Sequence, residues 1–149
     1  MIKTFENITK EEIADVVDEV VQHLKPGSLV FLDGDPGAGK TFLVSQIMWR
    51  FDISEVASPT FALHHRYQNN EVLFHHFDLY RVENEDELET VGLWDLLSED
   101  PTALFLIEWA SKFPVEIWPM EAAKIRIQIS NYSESSRNYK ISFEGQSAE

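Results

Sequence analysis

The chain contains no cysteine, which excludes disulfides, thiolate metal sites and a cysteine nucleophile. It has no long apolar run either: nothing approaches the ~20 consecutive apolar residues that a membrane helix needs. The opening stretch, MIKTFENITKEEIADV, is charged and holds no apolar segment of the kind a secretory leader requires. A soluble, cytoplasmic chain without membrane association is the expectation. Basic residues are scarce, 12 against 26 acidic ones, for a net charge of −14. Such a surface repels nucleic-acid backbones and nucleotide phosphates alike. Tight unaided nucleic-acid binding is not expected, and any nucleotide site must work through local donors and a cation. The acidity reads as solubility or, more sharply, as a docking face for a basic partner.

What is present fits a globular protein. Apolar residues make up 44% and aromatics 12% of the 149 residues, a composition unlike that of disordered chains. A chain of this size buries roughly two thirds of its unfolded surface. One domain over 1–149 is expected, with 145–149 as a frayed tail.

Thr9-Lys10-Glu11-Glu12 has the form of a capping box, and Ile13, Val16, Val17, Val20 and Leu24 follow at helical spacing. The pattern predicts a helix over 10–24, stopped by Pro26-Gly27. Ser28–Asp33 is a short apolar run that reads as a buried strand. A glycine-rich loop follows, then a helix to about residue 50. Phe61–Tyr67 and Val72–Tyr80 flank Gln68-Asn69-Asn70-Glu71 and predict a hairpin. With Asn69-Asn70 as a two-residue turn at positive φ, Tyr67 pairs with Val72 and Asp78 lies opposite Phe61, beside Pro59-Thr60. Asn84–Thr90 reads as a capped helix, Gly92 interrupts, and Leu93–Leu97 continues. Thr102–Ile107 is a second buried strand, ending in Glu108. Lys112–Pro119 reads as a loop or short helix. Lys124–Ser130 and Asn138–Phe143 alternate as a terminal antiparallel hairpin, joined by 131–137.

Gly34-x-x-x-x-Gly39-Lys40-Thr41 matches the P-loop pattern in full. Each part answers a chemical need. Gly34, Gly37 and Gly39 let the backbone curl so that successive N–H groups point at phosphate oxygens. The following helix aims its positive end at the same anion. Lys40 reaches the β- and γ-phosphates of ATP, and the Thr41 hydroxyl is a magnesium ligand. Such a site needs a second holder for the metal, an acid at the end of a buried strand. Asp78 and Glu108 both qualify, one to hold Mg²⁺ and the other to orient the attacking water; the residues do not decide which does which. Ser58-Pro59-Thr60 is either a switch-like contact or a turn cap. Arg81 is either an arginine finger or a surface partner of Glu83 or Glu85. Trp109 covers the nucleotide or a partner, or fills the core. His64, His65, His75 and His76 lie on facing strands, where a metal site is conceivable but unsupported by any carboxylate spacing.

With these residues assembled, the chain resembles the TsaE (YjeE) family. The resemblance covers about residues 5–144. It rests on Leu32–Thr41, Ser58-Pro59-Thr60-Phe61, His76-Phe77-Asp78-Leu79-Tyr80-Arg81, Glu87-Leu88-Glu89 with Val91-Gly92-Leu93, and Ile107-Glu108-Trp109. The His-Phe-Asp-Leu-Tyr-Arg string with Ser-Pro-Thr is far more specific than the P-loop alone. The resemblance implies an α/β fold, a P-loop NTPase-like three-layer arrangement with a mixed central sheet and the C-terminal hairpin. It implies that Asp35, Pro36, Gly37, Ala38, Gly39, Lys40, Thr41, Phe42 and Trp109 bind ATP or ADP, and that Thr41, Asp78 and Glu108 attend the magnesium. It also implies that Thr60 is switch-like, and that Glu108, Asp78, Lys40 and Thr60 form the catalytic set. Family members are weak ATPases of the pathway that makes N6-threonylcarbamoyladenosine in tRNA. They act with a TsaB–TsaD pair, so tRNA is reached only indirectly. Phe42 stands where many relatives have a second Thr or Ser, and Pro36 where many have Leu; both leave the phosphate donors intact. Competing readings are a small-molecule kinase on the same scaffold, which the presence of only five arginines disfavours, and a nucleotide-binding scaffold without turnover.

Overall fold

The computed structural model describes residues 1–54, 56 and 63–145. Ser58, Pro59, Thr60 and Phe61, and the end of the tail from residue 146, lie outside the described residues. Among the described residues the strands form one seven-stranded mixed sheet, in the order β1 (Ile2–Thr9), β7 (Ser136–Glu144), β6 (Lys124–Asn131), β2 (Leu29–Asp33), β5 (Leu104–Glu108), β4 (Leu73–Asp78), β3 (His64–Gln68).

The middle of the sheet is built from the continuous apolar runs. In β2 (Leu29–Asp33) the residues Leu29 to Leu32 are fully buried, as is nearly all of β5 (Leu104–Glu108). Strands buried on both faces need helices on both sides. Alternate residues serve each side. Val30, Leu32, Leu104 and Leu106 pack with Val16, Val17 and Val20 of α1 (Ala14–Gln22) and Leu43, Val44, Ile47 and Met48 of α2 (Lys40–Trp49). Leu29, Phe31, Phe105 and Ile107 pack with Leu88 of α3 (Glu85–Thr90), Leu93 of α4 (Leu93–Glu99) and Trp118. The result is three layers, as expected. No helix among the described residues is long and apolar enough to cross a membrane.

Several expectations need correction. The helix predicted over 10–24 is a 3-10 turn at Lys10–Glu12 followed by α1, which ends at Gln22. The Glu12 carboxylate does accept from the Thr9 amide at 3.0 Å, and the Thr9 hydroxyl donates to the same oxygen at 2.9 Å. Lys112–Pro119 is, as expected, a loop with a short helical turn, the 3-10 turn Val115–Ile117, and a second 3-10 turn, Ala110–Lys112, precedes it. The hairpin of β3 (His64–Gln68) and β4 (Leu73–Asp78) is displaced by two residues from the expected register, with Tyr67 opposite Phe74. Neither Asn69 nor Asn70 takes positive φ. Instead the Asn69 carboxamide oxygen accepts from the amides of Glu71 and Val72, at 2.9 and 3.0 Å, and stabilises a longer turn. Asp78 therefore donates its amide to the Leu63 carbonyl, 3.0 Å away, rather than facing Phe61.

The terminal hairpin is present as β6 (Lys124–Asn131) and β7 (Ser136–Glu144). It is not peripheral: β6 runs parallel to β2, with Leu32 opposite Ile127. A strand that was not foreseen, β1 (Ile2–Thr9), adds to β7 at one edge. A register shift between Phe5 and Ile8, with Asn7 at φ 56°, interrupts its alternation.

Each of the four histidines of β3 and β4 has a hydrogen-bond partner, Tyr67 for His65 and Glu108 for His76. His64 Nε2 lies 2.8 Å from His75 Nδ1, and His75 Nε2 lies 2.8 Å from Asp100 Oδ2. Burial first, then the neighbouring His75, His65 and His76 imidazoles and Arg66, hold His64 down to about 4 from its ordinary 6.5. Between those two pH values the unfolded chain binds a proton that the fold resists. The His64 contribution is complete above pH 6.5 and is lost as pH falls toward about 4. Thermal melts from pH 7 to 4.5 should therefore show a falling midpoint, and His64→Phe, which keeps the stack on Phe77, should reduce the drop. An equal drop in the variant would show that His64 is not the group responsible.

Candidate active site

Three chain segments end at one cavity of about 440 Å³, lined by Pro36, Gly37, Gly39, Lys40, Thr41, Phe42, Asp78, Tyr80, Glu108 and Trp109. The first segment is the turn between β2 and α2. Gly39 caps α2 at φ 104°, a left-handed conformation that a side chain would strain. Gly34 is needed for closeness: a Cβ there would sit 2.8 Å from the Ile129 carbonyl oxygen on β6. The first backbone bond of α2 runs from Leu43 N–H to the Gly39 carbonyl, 3.0 Å. The amides of Gly39, Lys40, Thr41 and Phe42 therefore have no acceptor within the helix, and these four residues line the cavity. A helix start of this kind is a ready anion site.

Lys40 is buried. Its ammonium donates to the carbonyls of Gly34 at 2.6 Å and Asp35 at 3.1 Å, and lies 4.6 Å from the Trp109 ring centroid. Burial lowers its pKa, opposed by the charges of Glu108, Asp78, Asp33 and Asp35. It is the only cationic side chain among the described residues that line the cavity.

The two acids come from adjacent parallel strands. Asp78 ends β4, Glu108 ends β5, and they are direct register partners. Both are buried, 7% and 3% exposed, and two like charges so placed repel unless a cation joins them. Asp78 Oδ1 accepts from the Tyr80 amide at 3.0 Å, and Glu108 Oε2 pairs with His76 Nε2 at 2.6 Å. Both acids line the cavity. The turn after each strand is pinned. Lys112 donates to the carbonyls of Leu79, Tyr80 and Val82 at 3.2, 2.5 and 2.6 Å. Trp109 takes φ 66°, unusual for a bulky residue, with its amide on the Leu32 carbonyl at 3.1 Å. Such a conformation costs about 1–3 kcal/mol, and here it turns the ring over Lys40 and toward Tyr80, 5.1 Å away.

Most of the foreseen site residues meet in this cavity. Asp35 contributes its carbonyl rather than a lining side chain. Ala38 faces a second hollow of about 370 Å³ across the loop, shared with Ile8, Lys10, Gly37, Gly39, Phe42, Arg137 and Tyr139. Arg81 is exposed and is not among the lining residues. Thr60 lies outside the described residues. Sequence reasoning missed Tyr80, the link from His76 to Glu108, and Arg137. The Arg137 guanidinium donates to the carbonyls of Ala38 at 3.1 Å, Ser136 at 2.9 Å and Ser133 at 3.0 Å, tying the phosphate loop to the β6–β7 connection. It stands about a hundred residues from the loop, so no local spacing reveals the contact.

Among the described residues no three His, Asp or Glu side chains come together as a metal-binding group. The donors at hand are one hydroxyl and two carboxylates, all oxygen, a set that suits a hard cation sharing its remaining positions with water and phosphate.

A tRNA threonylcarbamoyladenosine biosynthesis protein TsaE of Rickettsia felis is 36% identical over 103 residues, which are 68% of this chain and 58% of that protein. The TsaE proteins of Haemophilus influenzae and of a Nostoc species are 37% identical over 91 residues (60% of this chain, 56% of that one) and 32% over 121 (79% and 72%). Matched lengths are thus under two thirds of the Rickettsia and Haemophilus proteins. The crystal structure of Bacillus subtilis YdiB superposes with a TM-score of 0.69 at 21% identity, covering 95% of this chain and 84% of that one, and supports the P-loop NTPase-like fold. The model of the family described as threonylcarbamoyl adenosine biosynthesis protein TsaE matches residues 8–139, and with the P-loop, the paired acids and the Trp109 turn in place, the chain belongs to the TsaE family.

Proposed function

We propose that this chain binds Mg-ATP at residues 34–42 and hydrolyses it to ADP and phosphate in support of N6-threonylcarbamoyladenosine formation in tRNA. One observation carries the reading. A helix start with free amides, one buried ammonium and two buried carboxylates converge on a single cavity in a protein of net charge −14. Two adjacent acids destabilise the resting fold. They are useful where a cation must be held against a polyanion.

In this reading the amides of Gly39 to Phe42 take phosphate oxygens, and Lys40 approaches the β- and γ-phosphates. Thr41 with Asp78 or Glu108 would hold the magnesium, which when bound neutralises charge developing on the phosphate oxygens. The carboxylate of the other acid orients a water. That water's oxygen bonds to the γ-phosphorus as the bond to the β–γ bridging oxygen breaks. The second hollow, with Ile8, Phe42 and Tyr139 as apolar walls, receives the nucleoside. Phosphate release should need added Mg²⁺ and should be slow with the isolated chain.

Arg137→Ala should loosen the loop, since bonds from a charged donor to carbonyls contribute about 1.5–3 kcal/mol. Roughly tenfold weaker nucleotide binding is expected, read by titration with a fluorescent ATP analogue; unchanged affinity would remove Arg137 from the account.

The partners proposed are TsaB–TsaD-type proteins, in the cytoplasm. A surface this acidic should reach tRNA only through them. A pull-down with TsaB and TsaD tests this directly. Capture that strengthens with ATP supports the reading. No capture in either condition, or tRNA binding by the chain alone, would refute it.

A further inference from the structure

His76 lies on β4 between Phe74 and Asp78, on the sheet face that carries α2. Its register partner is Leu106, two residues before Glu108 on the same face of β5. The imidazole is 0% exposed. Nε2 meets Glu108 Oε2 at 2.6 Å, while Nδ1 is buried with no hydrogen-bond partner among the described residues. Packing does not explain such a residue. An apolar side chain would fill this slot in the core without leaving a buried nitrogen unpaired. What the imidazole adds is a single fixed contact on one oxygen of Glu108.

That contact has a geometric consequence. A glutamate has three side-chain torsions, and at the end of a strand its carboxylate is free to turn. With Oε2 held by His76 and the backbone held by β5, that freedom is curtailed, and Glu108 lines the cavity. We propose that His76 is a positioning residue: it selects which oxygen of Glu108 faces the γ-phosphate and holds it there before nucleotide arrives. The inference rests on the hydrolysis reading above and extends it by one residue. It requires a hydrogen bond at the Nε2 position and no contact between His76 and nucleotide.

The test compares His76→Asn with His76→Gln. The Asn amide ends near the Nδ1 position and cannot reach Glu108; the Gln amide ends near Nε2 and can. Single-turnover phosphate release should fall roughly 10- to 100-fold in the Asn variant and recover to within about fivefold of wild type in the Gln variant, the range typical of groups that orient a ligand or catalytic side chain. Affinity for a fluorescent ATP analogue should stay within about threefold in both, since ground-state binding is not the step affected. In protein labelled with ¹⁵N at histidine, the ring-nitrogen signals of His76 should move on Glu108→Gln. Equal rates in wild type and the Asn variant, a Gln variant as slow as the Asn one, or affinity falling in step with rate would each overturn the proposal. Should wild-type protein release no phosphate, the hydrolysis reading fails instead. The ring-nitrogen comparison then decides the contact: His76 signals indifferent to Glu108→Gln would overturn it as well.

Discussion

Lys40→Ala is expected to weaken nucleotide binding about 100-fold, close to 3 kcal/mol, the size of loss seen when one member of a buried charge contact is removed. The reason lies in how little positive charge the site has. The chain carries −14 overall, and Lys40 is the only cationic side chain lining the cavity among the described residues. A triphosphate approaching that cavity meets the charges of Asp78 and Glu108, against which the loop amides are neutral donors. Titration with a fluorescent ATP analogue in the presence of Mg²⁺ reads the effect. The same variant loses the positive charge that Glu108 and Asp78 stabilise and the bonds to the Gly34 and Asp35 carbonyls, so its melting temperature without nucleotide should fall as well. Affinity within a few-fold of wild type would mean that the phosphates bind elsewhere.

Glu108→Gln should do the opposite to binding and stability while stopping the chemistry. The substitution keeps shape and an oxygen for His76 but removes one of two adjacent negative charges. Single-turnover phosphate release should drop about 10²- to 10³-fold, within the range general-base or orienting groups supply. The unliganded protein should melt at a higher temperature, because a functional site that holds like charges together is destabilised by them. ATP affinity should hold or tighten. A variant that hydrolyses at the wild-type rate would place the water-orienting role on another residue, and a fall in melting temperature would contradict the repulsion argued between the acids.

The phosphate loop and the ends of the two buried strands were legible in the sequence because each is local. A glycine pattern between an apolar run and a helix, or an acid closing an apolar run, needs only a few neighbouring residues to be read. The elements misread depend on contacts far apart in the chain. Residues 2–9 look irregular because the register shift at Asn7 puts Phe5 and Ile8 three apart. The β3–β4 register moved by two because the Asn69 side chain, not a left-handed backbone, satisfies the turn. A shift of two preserves which face each residue occupies, so Asp78 still reached the correct side of the sheet. Lys124–Ser130 had the right period but gave no sign that it would lie beside β2 and crowd Gly34. Arg137, Tyr80 and the His76–Glu108 contact are tertiary facts. The left-handed Trp109 has no sequence signal at all, since strain of that kind is visible only where the surrounding structure imposes it.

The central claim is that main-chain amides at the start of α2 grip the phosphates, and at 17.2 kDa the chain is small enough to watch them one by one. ¹H–¹⁵N spectra recorded while Mg-ATP is added should show the amides of Gly39, Lys40, Thr41 and Phe42 moving downfield together and saturating at one concentration, the signature of hydrogen bonds to an anion. Those amides staying still while resonances elsewhere titrate would contradict the account.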